Sequence, residues 1–165
     1  MAPRADLTFE NVYNFVFYFV ILFAITISVA FASFTLNKAL VAGINSTQSF
    51  IYIAVGLALN LLAWVILLIA LSRFVQPKWS SMMGYALRPM QRAGGAVGLF
   101  IAFGALAAGS ALLIVSSVDL ATPAVNADIY NYGLISGIIG IVAAFFLIFH
   151  AIYAGRLSMT KSVSY

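Results

Sequence analysis

A chain of 165 residues in which 64% are hydrophobic and only 7% charged has too few polar side chains to cover a water-soluble surface. Its net charge of +4 and pI near 9.6 would suit nucleic acid if the basic residues formed one patch, but they flank apolar runs instead, so no nucleic-acid partner is expected. Cysteine is absent, which excludes disulfide-held loops, thiolate metal sites and a cysteine nucleophile.

Four uncharged apolar runs follow one another at about 11–33, 49–72, 94–118 and 132–152. A helix rises about 1.5 Å per residue and the hydrocarbon layer of a bilayer is about 30 Å thick, so about 20 residues cross it, and each run has that length. The pattern predicts an all-α, polytopic membrane protein made of a single four-helix transmembrane domain. A soluble bundle would need polar faces at helical period, whereas the first two runs are apolar nearly all the way round.

The first run follows Asp6 and Glu10, is too long for a secretory signal and has no small-residue cleavage site, so it is expected to remain as the first helix. It is crowded with aromatic residues, among them Phe15, Phe17, Tyr18, Phe19 and Phe23, which in a span fill packing space or face lipid. The connection at 34–48 holds Lys38 and the glycosylation sequon Asn45-Ser46-Thr47. The second run carries Asn60, whose amide would cost several kcal/mol if left unpaired in hydrocarbon and is therefore expected to bond across to another helix. Thr26, Ser28 and Ser110 are the other deep polar positions.

The longest connection, at 74–93, is basic. In its 80–92 portion Met82, Met83, Ala86, Leu87 and Met90 recur at helical spacing and Arg88 and Arg92 share another face, the pattern of an interfacial amphipathic helix, with Pro89 working against an unbroken one. Arg73, Lys78, Arg88, Arg92 and Arg156 are the expected contacts to anionic lipid headgroups, each worth about 1 kcal/mol near the surface.

The third and fourth runs carry small residues at spacings of three and four: Gly94, Gly98, Ala102, Ala105 and Gly109 on the third, Gly133, Gly137, Gly140 and Ala144 on the fourth. Between apolar helices in lipid, close backbone approach supplies the dispersion contact that holds them, so the two stripes are expected to pack against each other, the alternative being a stripe that faces another subunit. His150, the lone histidine, lies at the end of the fourth run and is expected as an interfacial polar residue, with no second ligand spaced to make a metal or haem site. The tail beyond it holds Ser158, Thr160, Ser162 and Ser164 beside Arg156 and Lys161, where phosphorylation would alter headgroup attraction.

Sorting cations by connection sets the orientation. Arg4, Arg73, Lys78, Arg88, Arg92, Arg156 and Lys161 fall on one side of the spans and Lys38 alone on the other, which predicts N-in, C-in topology. Four short-looped spans with both ends inside and a longer basic inner connection resemble the MARVEL-type tetraspanning membrane proteins in topology; the resemblance implies membrane organisation or vesicle-associated scaffolding, and it transfers no site residue.

No Asp, Glu, Lys or Arg lies deep in the runs, as proton pumps and many ion-coupled transporters require, and no nucleophile and base form a constellation. The expectation is a non-enzymatic protein without cofactor or metal: an accessory or scaffold subunit of a larger membrane-associated assembly, or a membrane organiser, in contact with lipid and with other membrane or membrane-apposed subunits. The competing expectation is a small channel or transporter that forms its pathway on oligomerisation, lined by Thr26, Ser28, Asn60 and Ser110.

Overall fold

The computed structural model describes residues 9–44, 47–75, 88–120 and 127–160, with side-chain surroundings for 16–44, 47–69, 97–120, 127–150 and Ile152. Four helices occupy these residues: α1 (Phe9–Val41), α2 (Gln48–Val75), α3 (Arg88–Leu120) and α4 (Ala127–Thr160). Each contains a stretch long and apolar enough to cross a membrane: Val16–Val41, Gln48–Ile69, Val97–Leu120 and Ala127–His150. The chain is thus an integral, multi-pass membrane protein whose spans meet lipid.

The helices outrun the apolar runs at several ends. α1 continues eight residues' worth of polar-tinged chain beyond position 33, through Thr35 and Lys38, because Lys38 does not have to leave the helix to find a partner: its Nζ meets Asp128 Oδ2 on α4 at 2.9 Å. α1 stops at Gly43, whose φ of +72° is the left-handed conformation that glycine adopts without steric cost. Around it the Gly43 amide donates to the Leu40 carbonyl at 3.1 Å and the Ile44 amide to the Ala39 carbonyl at 3.1 Å, the Schellman pattern that satisfies orphan carbonyls at a helix end. Thr47 then caps α2, its Oγ1 accepting from the Phe50 amide at 3.3 Å. α3 starts at Arg88 with Pro89 in its first turn, where a missing N–H costs nothing. Most of the amphipathic segment expected at 80–92 lies outside the described residues, and so does Asn45 of the sequon.

Each helix packs on its neighbours in the chain, and α1 packs on α4 to close a ring. One apolar cluster joins Ile21 and Ile25 of α1, Ala63 and Leu67 of α2, Leu99 and Leu106 of α3, and Ala144 and Leu147 of α4. A second joins Ala32 and Ala39, Ile53, Leu113 and Ile129. The first draws on early residues of α1 and α3 and late residues of α2 and α4, the second on the reverse, so the helices alternate in direction. Large apolar side chains such as Phe19, Phe23, Val65, Phe145 and Phe149 point outward from the bundle. In water that surface would drive association; in a bilayer it faces its own solvent.

Candidate functional site at the centre of the bundle

On α1 the buried residues Ile21, Ile25, Ser28, Ala32, Thr35 and Ala39 recur at spacings of four and three, and on α2 Ile53, Asn60, Ala63 and Leu67 share one face in the same way. These stripes carry Ser28 and Asn60 into the interior together with Ser110 of α3 and Ser136 of α4, all fully buried. Each lies near the middle of its span. The result is a polar layer at the bilayer midplane to which every helix contributes.

Ser28 and Ser136 clamp α1 to α4 reciprocally. Ser28 Oγ donates to the Ser136 carbonyl at 2.9 Å and Ser136 Oγ donates to the Ser28 carbonyl at 2.7 Å, so each hydroxyl also satisfies a lone pair on the opposite backbone. Asn60 Nδ2 donates to Ser28 Oγ at 3.2 Å and ties α2 into the pair. Two polar atoms of the layer, Asn60 Oδ1 and Ser110 Oγ, are buried without a partner. Such groups cost about 1–3 kcal/mol each.

Glycines make room for this layer. A Cβ added to Gly140 would sit 2.0 Å from Ser110 Oγ and 3.3 Å from Ser28 Oγ, so the two hydroxyls converge on the bare backbone of α4. A Cβ at Gly109 would sit 2.6 Å from Asn60 Oδ1 and 2.7 Å from the Gly56 carbonyl oxygen, and one at Gly56 would sit 2.8 Å from the Gly109 carbonyl oxygen. α2 and α3 therefore touch backbone to backbone beside Asn60.

The small-residue stripes meet different partners from those the spacing suggested. On α4, Gly133 lies against Ser117, Gly137 against Ile114 and the Ser110 carbonyl, and Gly140 against Ser110, so this stripe faces α3. On α3, however, Gly109 faces α2 and Gly98 has Ile66 of α2 as its near neighbour. α3 presents Ser110, Ile114 and Ser117 to α4 in place of glycines. The serine and isoleucine side chains fill the grooves that the α4 glycines leave, while the glycine-to-glycine approach is made instead between Gly109 and Gly56 of α2. Ala102, Ala105 and Ala144 are buried, and Gly94 falls on α3 outside the part with described surroundings.

Arg73, Arg88, Arg92 and Arg156 fall on the ends of α2, α3 and α4 beyond the spans, while Lys78 lies outside the described residues. Thr26, grouped with the deep polar residues by sequence, turns outward: its Oγ1 donates to the Leu22 carbonyl at 2.8 Å and accepts from Trp64 Nε1 at 2.9 Å. His150 ends its span and is turned into the bundle, 5% exposed, stacked on the Phe17 ring at 4.5 Å and edge-on to the Tyr18 ring at 4.7 Å. Sequence reasoning missed Ser136 and Gly56; both sit on the buried spacing of their helices, Ser136 three residues from Gly133 and Gly56 four from Asn60. Among the described residues no His, Asp and Glu side chains gather in a group that could hold a metal ion.

These features define a class: a four-span membrane bundle with its polar groups at the centre and its large apolar groups toward lipid. No protein-family model, curated protein or solved structure matches the chain.

Proposed function

We propose that the chain is a non-catalytic membrane protein with a structural role, an accessory or scaffold subunit of a larger membrane-associated assembly or a membrane organiser. The observation that carries the reading is the interhelical Ser28–Ser136–Asn60 bonding at the centre. Buried apolar Ile25, Leu67, Leu106 and Leu147 lie to one side of it and Ala32, Ile53 and Leu113 to the other, where the buried hydroxyls of Thr35, Ser116 and Ser117 are turned onto carbonyls of their own helices. Within one bundle this arrangement supports a locked joint between helices rather than a path along them. The large outward aromatic side chains then face lipid and the helices of partner subunits.

In this reading both termini and the basic connection face the cytoplasm or its equivalent, and Arg73, Lys78, Arg88, Arg92 and Arg156 meet anionic headgroups there. The four-span plan with a basic inner connection is shared in topology with the MARVEL-type proteins, which favours membrane organisation among the structural roles. Purification from the native membrane in mild detergent, followed by sizing and mass spectrometry, tests it. Co-purification with defined protein subunits is expected; a lone 17.7 kDa monomer would count against it.

A second reading, a channel or transporter assembled from several copies, draws support from the convergence of Ser28, Asn60 and Ser110 and from the two unpartnered polar atoms. It expects selective flux in reconstituted vesicles that disappears in Asn60→Leu. Flux of that kind would replace the structural reading.

A further inference from the structure

The contact between α1 and α4 closes the ring, and it is built differently in the two halves of the membrane. From the midplane toward the loop side it is shut. Ser28 and Ser136 clamp the backbones, Phe31 and Phe34 lie 5.9 Å and 6.1 Å from the Tyr132 ring, and Lys38 meets Asp128 at 2.9 Å.

From the midplane toward the termini the same seam opens into a groove of about 400 Å³ between Phe17, Val20 and Ala24 of α1 and Ile138, Val142 and Phe146 of α4. All nine residues around it are apolar. Its lower end is stopped where Phe17 stacks on His150, its upper end by the Ser28–Ser136 clamp.

Three features select an occupant. The groove runs from Phe17 to Ala24, a rise of about 10 Å, which fits within the roughly 15 Å hydrocarbon depth of one leaflet and falls short of a spanning helix. Nine lining residues are well below the about 20–30 residues a side that a stable protein interface employs, which disfavours a second copy. The groove also opens in the half of the membrane where Arg73, Arg88, Arg92 and Arg156 occupy the helix ends, so the nearest headgroups are drawn toward negative charge. The volume lies within the ~300–1,000 Å³ of ordinary small-molecule sites.

We propose that this groove holds one acyl chain of an anionic lipid from the leaflet on the side of the chain termini. The proposal needs the membrane placement of the bundle and the basic side of the sequence; it stands whether or not the chain acts as a scaffold.

The test is photolabelling of the full chain in phosphatidylcholine vesicles doped with phosphatidylserine that carries a diazirine partway along one acyl chain, with adducts mapped by mass spectrometry. Adducts are expected to concentrate at Val20, Ala24, Val142 and Phe146. Labelling should exceed that by a phosphatidylcholine probe of the same chain by about fivefold, the preference that one basic residue near the surface confers. Val142→Trp, and independently Val20→Trp, should each abolish the concentration of adducts in the groove, whereas Val115→Trp, on an exposed face of α3, should leave it unchanged. Sizing and circular dichroism identify any variant that fails to fold, and the other groove variant then decides. Adducts spread evenly over the outward residues, or equal labelling by the two probes, would overturn the proposal. So would crosslinking of Val142→Cys, the sole thiol in a chain without cysteine, to a second copy in place of lipid adducts.

Discussion

At the residue scale the bundle separates polar groups that bond from polar groups that do not. Ser136 Oγ has the Ser28 carbonyl at 2.7 Å, while Ser110 Oγ is equally buried and has no partner. Interhelical hydrogen bonds in membranes average about 0.6 kcal/mol and reach about 1.7, because the unfolded reference state in lipid also finds partners. Ser136→Ala should therefore lower stability by an amount in that range in a reversible unfolding assay in detergent or bicelles. Ser110→Ala removes a hydroxyl whose burial is uncompensated, and its stability should be unchanged or higher. If Ser110→Ala instead costs as much as Ser136→Ala, its hydroxyl has a partner, and an internal water reaching Asn60 Oδ1 is the chemical species that fits. The pair of alanine variants thus reports on the layer itself, because both removals are the same in volume.

At the element scale, the backbone contact between α2 and α3 depends on Gly56 and Gly109, each of which would thrust a Cβ to within 2.8 Å of the other's carbonyl oxygen. A backbone oxygen cannot rotate aside as a side chain can, so Gly56→Ala and Gly109→Ala should each cost about 1–3 kcal/mol, the usual range for overpacking. Gly104, also on α3, has nothing within 4 Å of an added Cβ. Gly104→Ala should be neutral or, through reduced backbone entropy, stabilising by about 0.5–1 kcal/mol in the same assay. The existence of α1 to α4 was legible because length and lack of charge suffice to identify a span. Their inward faces were less so, since Leu and Ile serve equally well against lipid and against protein, and hydrophobicity loses its power to point inward. What pointed inward was small size and polarity: the α4 stripe Gly133, Gly137, Gly140 does face α3, and Asn60 does bond across helices. The partner of a stripe was not legible. A glycine on α3 can face α2 or α4 with only a modest rotation; Gly109 meets Gly56 of α2, and it is Ser110, Ile114 and Ser117 of α3 that meet the α4 glycines. The end of α1 differs for another reason: the apolar run ends at about 33, whereas the helix continues to Val41 past Lys38, whose counter-charge, Asp128, lies 90 positions away in sequence.

At the scale of the whole molecule, four helices alternating in direction put the start of α1 and the end of α4 on the same face of the membrane, and the depth of the midplane layer tells how far each helix end reaches. Lys38 lies ten positions from Ser28, about 15 Å along the helix, which is the hydrocarbon boundary on the loop side. Toward the termini the helices run further: Arg92 is 18 positions from Ser110, about 27 Å, which carries it past the hydrocarbon into the headgroups or beyond. The bundle is therefore longer on its basic side, and the positive-inside rule predicts that this side stays cytoplasmic. Because the chain has no cysteine, single thiols can map this directly. Val41→Cys, at an 80% exposed position on the loop side, should react with a membrane-impermeant maleimide in intact cells, and Ser164→Cys should react only after permeabilisation. Reversal of that order would invert the orientation without disturbing the bundle. Labelling of both in intact cells would place the tail opposite to where an even number of spans puts it, and no packing of these four helices could accommodate that result.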